Sequence, residues 1–419
     1  MDRPRPRQPR ADCAAPGRSS ASGTPAESRA LPQSGIASAR PRTGRGWHRR
    51  LPRSACIAIA AVATALLLFV LVLAVDLGST LAQPSPDGPV VRAAEWARDR
   101  NLGDVVSWLE WVSYQFSPPP VGGEPDGGVP VDAGPLPTPS AGGPDGCGRQ
   151  RLLPPPGAQA LPNEGVWQPI QQVRGQPAIL AAFVRPDDKH TRFLTGVTCI
   201  DQRLVQFRLH PGTEVPGSSG WAEDPTLTSQ ELPRLLATFN SGFRMPDSYG
   251  GFWMQGKSVG HLVAGAASMV FYRDGRLDVR DWEGGTPATD IAAVRQNLTL
   301  LVSHGRINSA VQHADSGAFG RTVGDATYVW RSGIGIRPDG SIVTVHGNAL
   351  SVQTLARLLV NAGADRAMEL DINRDWTSYI YYRHTGGGVV PTKLTADEIR
   401  PADRYLQTST RDFVAVSTR

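Results

Sequence analysis

An uninterrupted apolar run, Cys56–Val75, divides this chain and limits what can fold on either side of it. Its roughly 20 uncharged residues are the length a helix needs to cross the hydrocarbon core of a bilayer. Arg40, Arg42, Arg45, Arg49, Arg50 and Arg53 precede it, and by the positive-inside rule that end stays in the cytoplasm. The sequence therefore predicts one transmembrane helix over 54–75 in the cell membrane, a cytoplasmic N-terminus and an extracellular C-terminal domain. The competing reading is a cleaved signal peptide. Against it, the basic lead is far longer than an n-region, and the apolar run exceeds the usual h-region of roughly 7–15 residues.

The charge follows the same division. The net charge is +5, yet residues 1–53 hold twelve arginines against Asp2, Asp12 and Glu27, so the remainder is acidic. The positive balance reports a basic tail, and no nucleic-acid partner is expected for the folded part. Residues 1–53 lack apolar periodicity and read as disordered. Segment 76–116 reads as juxtamembrane and helical, in two pieces broken at Gly103. Its Trp96, Trp108 and Trp111 suit either an element lying on the bilayer or a helix packed on the soluble domain. Residues 117–147, rich in Pro, Gly and Asp, read as a semi-extended spacer. A compact domain follows over 148–419. Cys13 falls in the tail and Cys56 at the membrane edge, which leaves Cys147 and Cys199 in the oxidising compartment, where a disulfide between them is expected.

Within the domain, short apolar or alternating runs predict strands at Ile179–Val184, Arg192–Ile200, Leu204–Leu209, Leu235–Phe239, Ser268–Tyr272, Leu277–Val279, Leu300–Ser303, Ile334–Ile336, Ile342–Val345 and Ala367–Leu370. Asp201-Gln202, Arg273-Asp-Gly275 and Pro338-Asp-Gly340 read as hairpin turns. The clearest helix is Val352–Ala362, with Ser351 as N-cap, one apolar stripe and Gly363 as terminator. Strands dominate and helices are few, so the fold class expected is α+β, with mixed or antiparallel sheets in a single domain behind the anchor.

One polar cluster stands out. Strand alternation puts Glu369 and Asp371 on one face at a strand end, beside Asn373, Arg374 and Asp375. Taken on composition alone, such a cluster reads as readily as a surface turn with a few salt bridges. His261, His304 and His313 lack metal-ligand spacing. Asn297-Leu-Thr299 is a glycosylation sequon by pattern.

Four stretches in order, Asn240-Ser-Gly-Phe243, Gln296–Gly305, Arg331-Ser-Gly-Ile-Gly-Ile336 and Leu370-Asp371, resemble the phosphodiester glycosidase family. The likeness spans roughly residues 170–417. It implies a hydrolase acting on a glycan or sugar-phosphate substrate with a sugar-1-phosphodiester bond. Transferred to this chain, it makes Asp371 or Glu369 the catalytic base or nucleophile and Arg331 the cation for the phosphate. Asn240, Gly242, Phe243, Asn373 and Arg374 would contact substrate. No cofactor is required, although Glu369, Asp371 and Asp375 would suit Ca2+ or Mg2+. Phe243, Trp253 and Trp376 are either sugar-stacking rings or core residues. The chain departs from the family pattern at Ser241, at Arg244, and at Ile372-Asn-Arg-Asp-Trp376, where a glycine run is expected. These side chains imply a differently shaped pocket. Beside the hydrolase stands a non-catalytic envelope protein that binds anionic glycans, and beside both a partner-binding module on a stalk. A cleft that gathers Glu369, Asp371 and Arg331 separates the first two from the third.

Overall fold

The computed structural model describes residues 53–82, 88–100, 102, 105–106, 118–130, 147, 150–217, 220–316, 319–320 and 327–419. The basic tail before Arg53, Trp108, Trp111 and most of the Pro/Gly spacer lie outside the described residues. The chain divides into two units between Leu67 and Leu68, inside helix α1 (Arg53–Ala82). By length and composition, Ile57–Ala82 can cross a membrane. α1 continues past the predicted end at Val75. The hydroxyls of Ser79 and Thr80 donate back to the Asp76 carbonyl at 2.7 and 3.0 Å, which keeps these polar residues helical. Helix α2 (Pro89–Asp99) follows, with Pro at its first position, where no amide donor is needed.

Among the described residues, three antiparallel sheets build the domain. The largest runs in the order β1 (Gln168–Val173), β2 (Gln176–Val184), β3 (Thr195–Ile200), β14 (Ile342–Leu350), β13 (Val329–Ile336), β15 (Arg366–Glu369), β11 (Leu300–Ser303) and β12 (Arg306–Ile307). A second holds β7 (Lys257–Val259), β6 (Phe252–Met254), β10 (Ile291–Gln296), β8 (Ala267–Tyr272) and β9 (Leu277–Asp281). The third holds β17 (Gly388–Lys393), β16 (Tyr379–Thr385), β5 (Leu235–Asn240), β18 (Phe413–Thr418) and β4 (Val205–His210). Every pairing of named strands is antiparallel, so the α+β expectation resolves to antiparallel sheets.

The large sheet is buried on both faces, which explains the continuous apolar run of β2. Ile179, Ala181 and Phe183 join the core shared with the smaller sheets. Leu180, Ala182 and Val184 pack on the other face, with helix α3 (Val352–Asn361). Ser351 caps α3 by accepting from the Thr354 amide at 3.0 Å, and Gly363 ends it at φ +85°. Two glycines of β13 let α3 and β15 approach. A Cβ on Gly333 would lie 3.1 Å from Leu355 and Leu359, and one on Gly335 2.8 Å from the Ala364 Cβ. Cys147 is disulfide-bonded to Cys199 of β3, which ties the end of the spacer to this face.

One turn differs from expectation. Asp201-Gln202 does not close a hairpin, because β3 and β4 belong to different sheets. Gln202 instead stitches the crossing: its Nε2 donates to the Leu277 and Gly340 carbonyls at 2.9 and 2.6 Å, and its Oε1 accepts from the Leu277 amide at 2.7 Å. The turns at Arg273–Gly275 and Pro338–Gly340 do close hairpins, β8–β9 and β13–β14.

Candidate active site

The four stretches singled out in the sequence meet where β5, β13 and β15 end. Gly333 of β13 sits opposite Glu369 of β15. The Ser332 hydroxyl receives the Asp371 amide at 3.1 Å and the Asn240 side-chain amide at 2.9 Å. Asn240 in turn accepts the Ser378 amide at 3.1 Å. Asn297 closes the ring. Its Oδ1 accepts the Phe243 amide at 3.2 Å, and its Nδ2 donates to the Glu369 and Leu370 carbonyls at 2.8 and 3.1 Å. Fully buried Arg295, paired with Asp412 at 2.6 Å, donates to the carbonyls of Gln296 and Phe243, so it fixes the same loop. A backbone so fully bonded holds its carboxylates in place before any ligand arrives.

Those carboxylates are unusual. Glu369 is fully buried and bonded to Arg331 at 2.6 Å. Burial raises its carboxyl to about 7 against the pull of Arg331, and the neighbouring Asp371 adds to the rise. Asp371 is also buried, and burial raises it to about 6. Opposing that rise are Arg411 and the amides of Asn373 and Ile372, which its Oδ1 accepts at 2.9 and 2.7 Å. Carboxyls moved toward neutrality in a dry, fixed setting suit proton transfer near pH 7.

Helix α2 lies against this cluster. Burial would raise the Glu95 carboxyl, but Arg411, Arg244 and Arg98 hold it below the ordinary range. Its Oε1 accepts from Arg411 at 2.8 Å, and its Oε2 lies 3.6 Å from Arg244, which also pairs with Asp99. Trp376 carries the guanidinium of Arg411 over its ring at 4.4 Å, and those of Arg400 and Arg404 at 5.2 Å. Trp96 turns the other way and donates to Asp76 at 3.0 Å. α2 itself packs on the domain through Glu95.

Several expected roles change with these contacts. Arg331 is buried. Its Nη1 is committed to Glu369 and its Nε to the Leu350 carbonyl at 3.0 Å, so it serves as the counter-ion of Glu369. Asn240 and Phe243 are buried, and the Asn240 amide is used within the protein at both ends. A Cβ on Gly242 would lie 3.2 Å from the Arg295 guanidinium, so this glycine serves packing. Asn373 accepts the Asp375 amide at 2.8 Å, shaping its own turn, and Arg374 is exposed. Trp376 is buried, and Trp253 is partly buried against the cluster of Val270, Trp282, Ile291 and Val294. Among the described residues no three His, Cys, Asp or Glu side chains converge as a metal cage, so Glu369, Asp371 and Asp375 do not form one. Asn297 is fully buried as a structural pin, which excludes it as a glycan acceptor in the folded domain. Arg411 and Glu95 escaped the sequence reading, because neither lies near the recognised stretches in the chain. Arg244 was visible only as a departure from the family pattern. A concavity of about 310 Å3 lies beside edge strand β4, lined by Gln206, Arg208, Glu223 and Glu231 among others. None of Glu369, Asp371 or Arg411 lines it, and the convergence of buried ionisable groups is the better marker of chemistry.

Residues 235–371 match the phosphodiester glycosidase family. This stretch of the phosphodiester glycosidase match runs from the start of β5 to Asp371 and holds every one of the four stretches above. Among solved structures, the chain is similar to the catalytic domain of zebrafish N-acetylglucosamine-1-phosphodiester alpha-N-acetylglucosaminidase, auto-inhibited by its pro-peptide. The identity is 16% over 60% of this chain and 87% of that one, with a TM-score of 0.37. A hypothetical protein from Synechocystis is similar at 14% identity over 60% of this chain and 64% of that one, with a TM-score of 0.33. No curated protein sequence matches. The likeness to this family rests on the sequence match over residues 235–371.

Proposed function

We propose that the protein is a membrane-anchored hydrolase of sugar-1-phosphodiester bonds in cell-envelope glycans, its domain held outside the cytoplasm by α1. The observation that carries the reading is Asp371, a buried carboxyl raised to about 6 at the end of the family match. Asp371 in its ionised form takes the proton of a water that attacks the anomeric carbon. The bond from that carbon to the bridging oxygen breaks, and its electron pair leaves with the phosphate. The departing phosphomonoester is a weak base, with a second pKa of about 6, so it needs little protonation to leave. Arg411, beside Asp371, supplies positive charge for the departing phosphate, on which negative charge grows. Glu369 and Arg331 position the strand end from within and do not touch substrate.

The side chains of Ile372, Arg374 and Trp376, in place of a glycine run, favour a second reading: an anionic-glycan-binding protein on the same scaffold. The full-length protein in detergent micelles, incubated with a panel of sugar-1-phosphodiesters, should release free sugar. Binding without release would support the second reading. Neither binding nor release would sink both.

A further inference from the structure

Glu95 is a carboxylate with an odd address. It comes from a helix just after the anchor, outside all three sheets, yet it is buried between two guanidiniums of the domain. Arg411 meets one of its oxygens at 2.8 Å and Arg244 approaches the other at 3.6 Å. Arg244 belongs to the loop after β5, which Arg295 and Asn297 fix in place. Arg411 precedes Asp412, the partner of Arg295, and its guanidinium sits over the Trp376 ring at 4.4 Å. It is also the strongest attractive charge felt by Asp371. The proposed reacting carboxyl and a two-arginine clamp are thus neighbours, and the clamp holds an anion supplied by α2. A carboxylate and a phosphodiester each carry one negative charge on paired acceptor oxygens, and the arginine fork takes either with the same geometry. Exchange of one for the other leaves the local charge unchanged. Without such an exchange, a substrate anion would meet Glu95, Glu214, Asp371 and Asp375 together, since Glu214 and Asp375 also feel Glu95.

We propose that Arg411 and Arg244 form the subsite for the substrate's phosphate, and that the Glu95 carboxylate occupies it until an anionic ligand displaces it. The assignment rests on the phosphodiester reading of the site. An ordinary helix-docking salt bridge would give the same static contacts, but only a ligand subsite makes Glu95 a competitor of phosphate.

Calorimetric titration of the full-length protein in detergent micelles with inorganic phosphate separates the two. Glu95→Gln removes the competing charge and should tighten phosphate binding about tenfold or more. Glu95→Asp, which keeps the charge, should bind weakly, like the wild type. Arg244→Gln, added to Glu95→Gln, should cancel the gain. Arg244 is the residue to change because its side chain is 16% exposed against 8% for Arg411, so the fold tolerates its loss better. A Glu95→Gln protein that melts cooperatively but binds phosphate no more tightly than wild type overturns the assignment. So does an Arg244→Gln change without effect. If the wild type cleaves diesters while Glu95→Gln leaves KM and phosphate inhibition unchanged, the subsite falls and the hydrolase stands. If nothing is cleaved but Glu95→Gln still tightens phosphate, the subsite stands and the hydrolase falls.

Discussion

Asp371→Asn should remove turnover and, above pH 6, make the protein more stable. The two effects have one cause. Asp371 is buried, and its carboxyl is raised from the ordinary 3.8 to about 6. A raised folded value means the native state holds the proton more tightly than the unfolded chain. The associated stability is fully present below about pH 3.8 and is lost as pH rises through 6. The difference, at 1.36 kcal/mol per unit, is about 3 kcal/mol of strain at pH 8. Asparagine keeps an oxygen for the amides of Ile372 and Asn373 but carries no charge, so it escapes that strain. Its melting temperature at pH 8 should exceed the wild type's by a few degrees, and the gap should close by pH 4. Catalysis moves oppositely. Loss of a positioned base costs about 10²–10⁴ in rate, and the wild-type rise of kcat/KM through about pH 6 should vanish. Free-sugar release and thermal melts over pH 4–8 measure both. Wild-type turnover in Asp371→Asn would refute the catalytic assignment. A variant that melts lower at pH 8 would refute the view that burial, not pairing, sets this carboxyl.

Other changes test the supporting frame. Arg331→Met leaves Glu369 buried without its counter-ion and should cost about 3–5 kcal/mol in denaturant titration, most of it recovered in the double variant with Glu369→Gln. Gly335→Ala, whose Cβ would lie 2.8 Å from that of Ala364, should cost about 1–3 kcal/mol. Gly386→Ala, with nothing within 4 Å, should be close to neutral by the same assay. Reducing the bond between Cys147 and Cys199, 52 residues apart, should cost about 3–4 kcal/mol in the chain-entropy account. Protease added to intact cells, with outer barriers removed, should digest the domain after residue 150, and full protection would contradict the proposed topology.

What the sequence made legible follows from where the physics is local. Helix α3 was readable end to end because its cap, stripe and terminator all lie within Ser351–Gly363. The strand expected at Leu235–Phe239 was readable because burial on both faces leaves an apolar run broken only by Thr238. The strands β1, β6, β7, β10, β12, β16, β17 and β18 were missed. Tyr379–Lys393 mixes exposed polar residues with Gly and Pro, and β16 is a strand through pairing with β17 and with the distant β5. The Asp201-Gln202 turn was misread because a hairpin and a crossing between sheets share the same turn chemistry, and the Gln202 bonds that decide it lie about 75 and 138 residues away. The site divides in the same way. Glu369 and Asp371 were visible as a pair two residues apart. The pairing of Arg331 with Glu369 was not legible, because a sequence does not show which arginine finds an internal carboxylate. Arg411 had no local signal, and its importance comes from packing against α2 and Trp376.

The altered turn after Asp371 then has a physical reading. A glycine run there would offer bare backbone amides to an anion. This chain places Trp376 in that turn, buried, with three guanidiniums over its ring. Stacking on an indole face draws cations together that would otherwise repel. Burial and the nearby charge of Arg404 already lower Arg400 to about 10. Within the proposed function, the substitution trades neutral backbone donors for a charged layer supported by an aromatic plate. Trp376→Ala should therefore disturb more than packing: with the plate gone, Arg411 loses its fixed orientation. Beyond a stability loss of about 3–5 kcal/mol, phosphate affinity measured in the Glu95→Gln background should fall toward the wild-type level. Trp376→Phe, which keeps a ring face, should retain most of it. If Trp376→Phe and Trp376→Ala lose phosphate affinity equally while both still melt cooperatively, the ring is only filling space, and the cationic layer is held by something other than its face.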